Sequence, residues 1–249
     1  MKQHLIDKYI LDPRHKLTIS VFGVGGTGSF LLSKLARLNV ALQTTYNHPG
    51  LHVTAYDPDI IEEHNYVRST FSPADAGHPK ASTIISRINR YYGLKWKGFD
   101  RKFIRQTDES TNIIFLCVDS LASRKEIIEE FTKSGYDWTK HLYTFDIGNG
   151  DNYGQVIISS TKNVNVHSGS SKSLNIHKYA WDLFDIKEEV DKPSCSMQES
   201  LSAQSLFINE FMAIVTAEVF KEFILYPKLT SNGIFVNSET LIINKGFFI

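Results

Sequence analysis

The sequence predicts an α/β protein, a doubly wound and mostly parallel sheet with a C-terminal helix and β extension, and three observations predict it. The β-rich run Leu17–Phe22 stops at a glycine cluster and gives way to helical periodicity. Residues 51–57 alternate as a second strand, closing a βαβ unit. Residues 112–118 are apolar almost without interruption, as expected of a strand buried on both faces of a parallel sheet.

The elements follow in order. Beyond the glycine cluster, Phe30, Leu31, Leu32, Leu35 and Leu38 have the spacing of one helix face, and Asn47, Pro49 and Gly50 punctuate the connection to the second strand. Residues 58–77 are polar and lack apolar periodicity, so a long functional loop is expected there. Pro79 sits where a first helical turn tolerates proline, ahead of a helix to about Tyr92. Residues 124–131 read as a helix, and residues 142–147 and 154–159 as strands. The Ser/Asn/Lys-rich residues 161–175 show no period and are expected to be mobile. The longest helical pattern runs over residues 197–225, and Asn237, Ser238, Glu239 and Thr240 separate two short β-like runs near the end.

Composition narrows the function classes. The 249 residues carry 27 Lys+Arg and 27 Asp+Glu, a formal net charge of +0, so no bulk field favours nucleic acid or an anionic membrane. At 42% hydrophobic and 22% charged residues the chain lies far from the disordered corner, and one core is expected at this length. Two cysteines, Cys117 and Cys195, exclude a disulfide scaffold, and no zinc is expected. The N-terminal stretch has no apolar segment like that of a secretory signal. Glu210, Glu218, Lys221 and Glu222 interrupt the apolar C-terminal run, so a cytoplasmic protein without a membrane span is expected.

Gly23, Gly25 and Gly28 form GxGxxG between a strand and a helix, where glycines let a phosphate approach backbone N–H groups at a helix start. Asp57, ending the second strand, suits ribose hydroxyls of ATP and NAD equally well. The continuation favours a triphosphate: Asn65, Arg68 and Lys80 supply donors and cations for a leaving group that accumulates charge, and Asp119 ends the third strand with Arg124 five residues on. Ser196 and Glu199 form a capping box at the start of the long helix. Cys195 then lies just before the N-cap, where a thiolate is favoured, with an ordinary loop thiol as the alternative reading. Cys117, inside an apolar strand, reads as a small hydrophobe, and His64 and His78 as polar loop residues. The wide apolar stripe through Phe211, Val215, Phe220 and Phe223 reads as core or dimer interface.

Taken as an ordered set, Gly23, Gly25, Gly26 and Gly28, then Asp57, Asp59, Ile61, Asn65 and Arg68, then Lys80, then Asp119 and Arg124, resemble the ThiF/MoeB family of ubiquitin-activating-enzyme-like adenylyltransferases. The likeness extends to the short ThiF-related proteins of bacterial PRTRC cassettes, which are similar around Ser194, Cys195 and Ser196 and over residues 204–209. The resemblance implies a Rossmann-like adenylation core over residues 1–160, with ATP and Mg2+ as cofactors. By the same likeness Asp57 holds the ribose, Asn65, Arg68 and Lys80 serve the phosphates, Asp119 holds the metal, and Asp59 belongs to the cofactor-binding set. Residues 161–196 would be a crossover segment carrying Cys195, and residues 197–249 a helix and hairpin packed on the same domain. A homodimer, a small ubiquitin-like β-grasp protein as substrate and a conjugating enzyme as further partner are implied too. The chain departs from the family at Ser69, where a glutamine is usual, in lacking zinc cysteines, and in its short N-terminus, where Arg14 is a guess for the arginine that family dimers donate. Adenylation of a small molecule or tRNA base, NAD(P)-dependent oxidoreduction and a non-catalytic binding module are the rival readings.

Overall fold

The computed structural model describes residues 4–104, 108, 110–132, 142–160 and 205–246. Five parallel strands form the heart of the sheet: β2 (Leu17–Phe22), β3 (Leu51–Tyr56), β4 (Lys97–Phe99), β5 (Ile113–Leu116) and β6 (Tyr143–Asn149). β1 (His4–Leu5) lies outside it and pairs antiparallel with β8 (Lys228–Leu229). β7 (Tyr153–Ser160), β9 (Gly233–Asn237) and β10 (Ile242–Gly246) add an antiparallel wing, giving the order β10-β9-β7-β6-β5-β2-β3-β4. The chain runs outward from β2 through β3 to β4, then returns to β5 on the other side of β2. Strand order therefore reverses between β2 and β5, the kind of switch point at which open α/β sheets form a ligand crevice above the carboxyl ends of the two strands.

Continuous apolar sequence in the inner strands is explained by helices on both faces. Helices α2 (Gly26–Thr45), α3 (Lys80–Tyr92) and α5 (Ile208–Leu225) share one large core with the sheet, including Leu31, Leu35, Ile84, Ile88, Met212 and Phe220. The short α1 (Lys8–Leu11) buries Ile10 in the same core. On the opposite face, α4 (Leu121–Thr132) presses Ile128 and Phe131 against Phe22, Tyr56, Ile114 and Leu116. The apolar stripe of α5 is thus core: Phe220 and Phe223 meet Phe145 edge-on, at centroid distances of 5.5 and 5.1 Å.

The helical pattern expected over residues 197–225 is not one uninterrupted helix. Residues 197–204 lie outside the described residues, and α5 begins only at Ile208, because the Ser205 N–H is taken by the Asp151 carbonyl at 2.9 Å in the β6–β7 turn. The crossover expected over residues 161–196, with Cys195, also lies outside the described residues. The hairpin expected about residues 237–240 is present, joining β9 to β10.

The N-terminus is held by a buried polar knot. Tyr143 Oη lies 3.0 Å from His4 Nε2 and accepts from the Asp7 N–H at 3.0 Å. Burial lowers the His4 pKa from 6.5 to about 4, so the folded protein binds the neutral imidazole. The resulting stability is present above pH 6.5 and is lost as pH falls toward 4. A His4→Gln variant, which keeps a hydrogen-bonding side chain that does not titrate, should lose about 2–3 kcal/mol less than the wild type between pH 7 and 4, read by urea unfolding at each pH.

Candidate functional site

Register brings the site together. Phe22 is level with Tyr56 and with Leu116, so Gly23, Asp57 and Cys117 leave three adjacent strands at one height. The ladder continues one rung further, with the Gly23 N–H bonded to Tyr56 O at 3.0 Å, Cys117 to Phe22 O at 2.8 Å and Asp57 to Phe99 O at 3.1 Å. Asp57 therefore stands on one side of the glycine turn and the exit of β5, which leads on to Asp119, on the other.

The turn is shaped by backbone contacts that exclude side chains. A Cβ on Gly28 would lie 1.9 Å from Gly23 O. At Gly23, which has φ +87°, it would lie 2.8 Å from the Cys117 carbonyl. At Gly26 it would strike the Asn209 carboxamide at 2.6 Å. Gly25 differs, because a Cβ there meets nothing within 4 Å. Gly25 is also the N-cap of α2, which has no side-chain cap and no acidic residue in its first turn. Open space over an uncapped start of a 20-residue helix can receive an anion on the backbone N–H groups.

Asp57 locks the turn from the β3 side. Its Oδ2 accepts from the Val24 N–H at 2.5 Å and its Oδ1 from the Asp59 N–H at 2.9 Å. Burial raises the Asp57 pKa, against the opposing pull of these two N–H groups and the Lys80 charge. Each carboxylate oxygen keeps a second lone pair for a further donor such as a hydroxyl. Lys80 Nζ lies 3.0 Å from Asp59 Oδ2, and its own N–H bonds Asp59 O at 3.0 Å. The lysine side chain is nearly buried whereas that of Asp59 is 64% exposed. Together with Pro58, Ile60, Glu62 and His64 they line an open polar depression of about 390 Å3.

The polar stretch between Asp57 and Lys80 is a closed excursion. Its ends are zipped by Ile61 N–H to His78 O at 2.8 Å and Gly77 N–H to Ile61 O at 2.9 Å. Short 3-10 turns at Glu63–Asn65 and Pro73–Asp75 fill it, each closed by a capping box. Asn65 Oδ1 spends one lone pair on the Glu62 N–H at 3.0 Å. Ser69, standing where a glutamine is usual, turns its hydroxyl back to Asn65 O. The Thr70 N–H reaches Ser29 Oγ on α2 at 3.2 Å. Arg68 is half-buried, and burial lowers its guanidinium pKa. A cation in such a setting gains more from an arriving phosphate than an exposed one does.

On the other flank Asp119 is exposed just beyond β5. No group of three or more potential metal ligands occurs among the described residues. A lone exposed carboxylate nevertheless fits Mg2+, which keeps most of its waters and is held by one or two carboxylates plus substrate phosphates. Arg124 is otherwise engaged, ion-paired with Asp146 and donating to Val118 O at 2.6 Å and Ile147 O at 2.9 Å, so it fastens β5 to β6 rather than facing a ligand. Burial pushes the Cys117 thiol pKa up to about 12, which makes it an inert packing group under the turn. Arg14 is exposed on the loop before β2 and His78 on the excursion.

Sequence reasoning missed a polar cluster behind the turn. Thr27 Oγ1 lies 3.1 Å from Asn149 Oδ1 and 3.0 Å from Asn209 Oδ1, and Asn149 Nδ2 donates to Asn209 Oδ1 at 3.1 Å. Asn209 Nδ2 reaches the Arg68 carbonyl at 3.4 Å. The one available signal was the motif-like stretch at residues 204–209.

The contact distances separate two glycines that look alike in sequence. Gly28→Ala should destabilise the fold by about 3 kcal/mol or more through backbone overlap, whereas Gly25→Ala should stay within about 1 kcal/mol of wild type. Thermal melts of the two variants check this. Equal melting temperatures would show that the turn is not held by the Gly28 contact.

A search of curated proteins finds no match. Among solved structures the chain is similar to PaaA, at 17% identity and a TM-score of 0.60 over 93% of this chain and 64% of that one. It is similar also to Escherichia coli MccB, at 16% identity and a TM-score of 0.60 over 96% of this chain and 63% of that one. The structure of E. coli MccB with ATP gives the same TM-score of 0.60 and 16% identity, over 96% and 64%. The chain therefore spans just under two thirds of the length of these structures, and the likeness establishes a shared fold. The ThiF family model matches residues 7–172, more than half of the chain and every candidate site residue except Cys195 and Asn209, so the chain belongs to the ThiF family.

Proposed function

We propose that the protein binds ATP over the Gly23–Gly28 turn and activates a carboxylate as an acyl adenylate, the substrate being the C-terminus of a small ubiquitin-like β-grasp protein. The observation that carries this reading is the open space above Gly25 at the uncapped start of α2, with Asp57 on one side of the turn and the exit of β5, which leads on to Asp119, on the other. Family membership supports it, as do the E. coli MccB structures with ATP and with AMPCPP and MccA.

In the proposed reaction a substrate carboxylate oxygen bonds to the α-phosphorus. The bond from that phosphorus to the bridging oxygen breaks, and pyrophosphate leaves with the electron pair. No proton moves, so no general base is needed; the barrier lies in bringing two anions together. Asp57 takes the ribose hydroxyls on its spare lone pairs. Asn65, Arg68 and Lys80 take the phosphates, with Asp59 holding the Lys80 ammonium at 3.0 Å until the nucleotide arrives. Asp119 would hold Mg2+, which when bound neutralises charge on the phosphate oxygens. An NAD reading accounts less well for Lys80, since a bridged diphosphate needs no further cation.

We propose a second step. The Cys195 thiolate would attack the acyl carbonyl, form a thioester and release AMP, before transfer to a conjugating enzyme. A homodimer, a cytoplasmic setting and membership of the PRTRC group belong to the same proposal.

Partner-dependent exchange of labelled pyrophosphate into ATP tests the first step. Lys80→Ala and Asp119→Ala should each lower exchange about 100-fold. The melting temperature of Asp119→Ala should stay near wild type, because Asp119 is solvent-exposed, whereas Lys80→Ala removes a nearly buried side chain and its exchange is compared per folded protein. Undiminished exchange in Asp119→Ala would remove the metal assignment. ATP binding without exchange for any carboxylate partner would leave the non-catalytic reading, and exchange without a protein partner would point to a small molecule.

A further inference from the structure

Asn209 stands at the start of α5, 182 residues beyond Thr27 in sequence, yet it is buried against the glycine turn. Its carboxamide fills the space that a side chain on residue 26 would take, at 2.6 Å from an ideal Cβ. Its Oδ1 accepts from Thr27 Oγ1 in the first turn of α2 and from Asn149 Nδ2 at the carboxyl end of β6. Its Nδ2 reaches the carbonyl of Arg68 in the loop above. One side chain thus touches three separate pieces of the site wall, and the residues it touches adjoin Gly25 and include Arg68 itself. A Gly26 without a side chain and a residue 209 with a short, branched amide are two halves of one fit.

We propose that Asn209 is a positioning residue of the nucleotide site. It fixes the distance between the α2 start, where the backbone N–H groups meet the phosphates, and the main chain of Arg68, whose guanidinium meets the same anion. The proposal rests on the reading of this crevice as a nucleotide site, and not on which carboxylate is activated. Leucine, though similar in size, would fill the volume and lose every polar contact. Aspartate would keep the acceptor toward Thr27 and lose the donor toward Arg68 O, setting oxygen against oxygen.

Four variants separate positioning from bulk stability: Asn209→Ala, Asn209→Asp, Gly26→Ala, and the double variant carrying Gly26→Ala with Asn209→Ala. Each is compared with wild type by melting temperature and by isothermal titration with ATP and Mg2+, and where exchange is measurable by its kcat and KM for ATP. Asn209→Ala and Asn209→Asp should bind ATP about tenfold or more weakly, with KM for ATP raised in step. Gly26→Ala alone should melt lower than the double variant, because removing the carboxamide makes room for the methyl group. The double variant should regain melting temperature and yet still bind ATP about tenfold weakly, a split that loss of packing alone does not give. Should Asn209→Ala not fold, the isosteric Asn209→Asp is read by the same criterion. ATP affinity within twofold of wild type in a folded Asn209 variant would overturn the proposal. If the wild type itself binds no ATP, the nucleotide reading fails first, and the melting-temperature rescue alone reports on the Gly26–Asn209 fit.

Discussion

At the exit of β2 the chain packs backbone directly on backbone. The Gly23 α-carbon lies against the Cys117 carbonyl, and the first turn of α2 lies against Gly23 O so closely that Gly28 cannot carry a methyl group. These contacts set the direction in which α2 leaves the sheet and the place where its unpaired N–H groups emerge. Because α2 shares the large core with α3 and α5, a shift of its first turn would be passed to the packing of all three helices. The same turn is gripped from β3, where the Asp57 carboxylate takes the Val24 N–H at 2.5 Å. Ligand geometry and core geometry therefore share one structural element.

The charges around the turn oppose the fold that holds them. Asp57 is buried deeply enough for desolvation to outweigh two hydrogen bonds from N–H groups and the nearby Lys80, so its ionised form is held at a cost. Arg68 is shifted in the direction that burial dictates for a cation. Incoming hydroxyl donors and phosphate oxygens would lower both costs at once. By linkage, a ligand that binds only the folded state also stabilises it. Lys80 differs: its ammonium already rests on an exposed carboxylate, a partner that competes weakly in water and can be exchanged for phosphate.

What the sequence made legible has a common physical origin. Leu17–Phe22, Leu51–Tyr56 and Ile113–Leu116 are runs of adjacent residues whose pattern reports their own burial, and the motif residues lie at the exits of those runs. Pro79 marked the start of α3 because its fixed φ and missing N–H are local properties. What stayed hidden depends on partners far along the chain. Arg124 stood out only as a motif residue five positions after Asp119, and its role is decided by Asp146, 22 residues away on the next strand. The break ahead of α5 depends on a carbonyl at Asp151, and Asn209 acquires meaning only beside Thr27. Residues 58–77 read as a long functional loop but its internal build stayed hidden, because capping boxes and the zipped ends of the excursion leave no periodic trace.

The C-terminal extension consequently cannot be an appendage to a self-sufficient nucleotide domain. β9 pairs with β7 through the rungs Tyr153↔Asn237 to Ile157↔Gly233, and β7 in turn covers β6, whose end carries Asn149. α5 buries Phe220 and Phe223 against Phe115, Phe145 and Tyr143, the side chains that fill the sheet on its α2 side. Lys34 and Glu210 join α2 to α5 across 3.0 Å of partly exposed surface. Without α5, a row of aromatic residues in the central strands would face water, and the polar cluster behind Gly26 would lose its keystone. The glycine turn is written in the first thirty residues, but the wall that holds it in place comes from the last fifty.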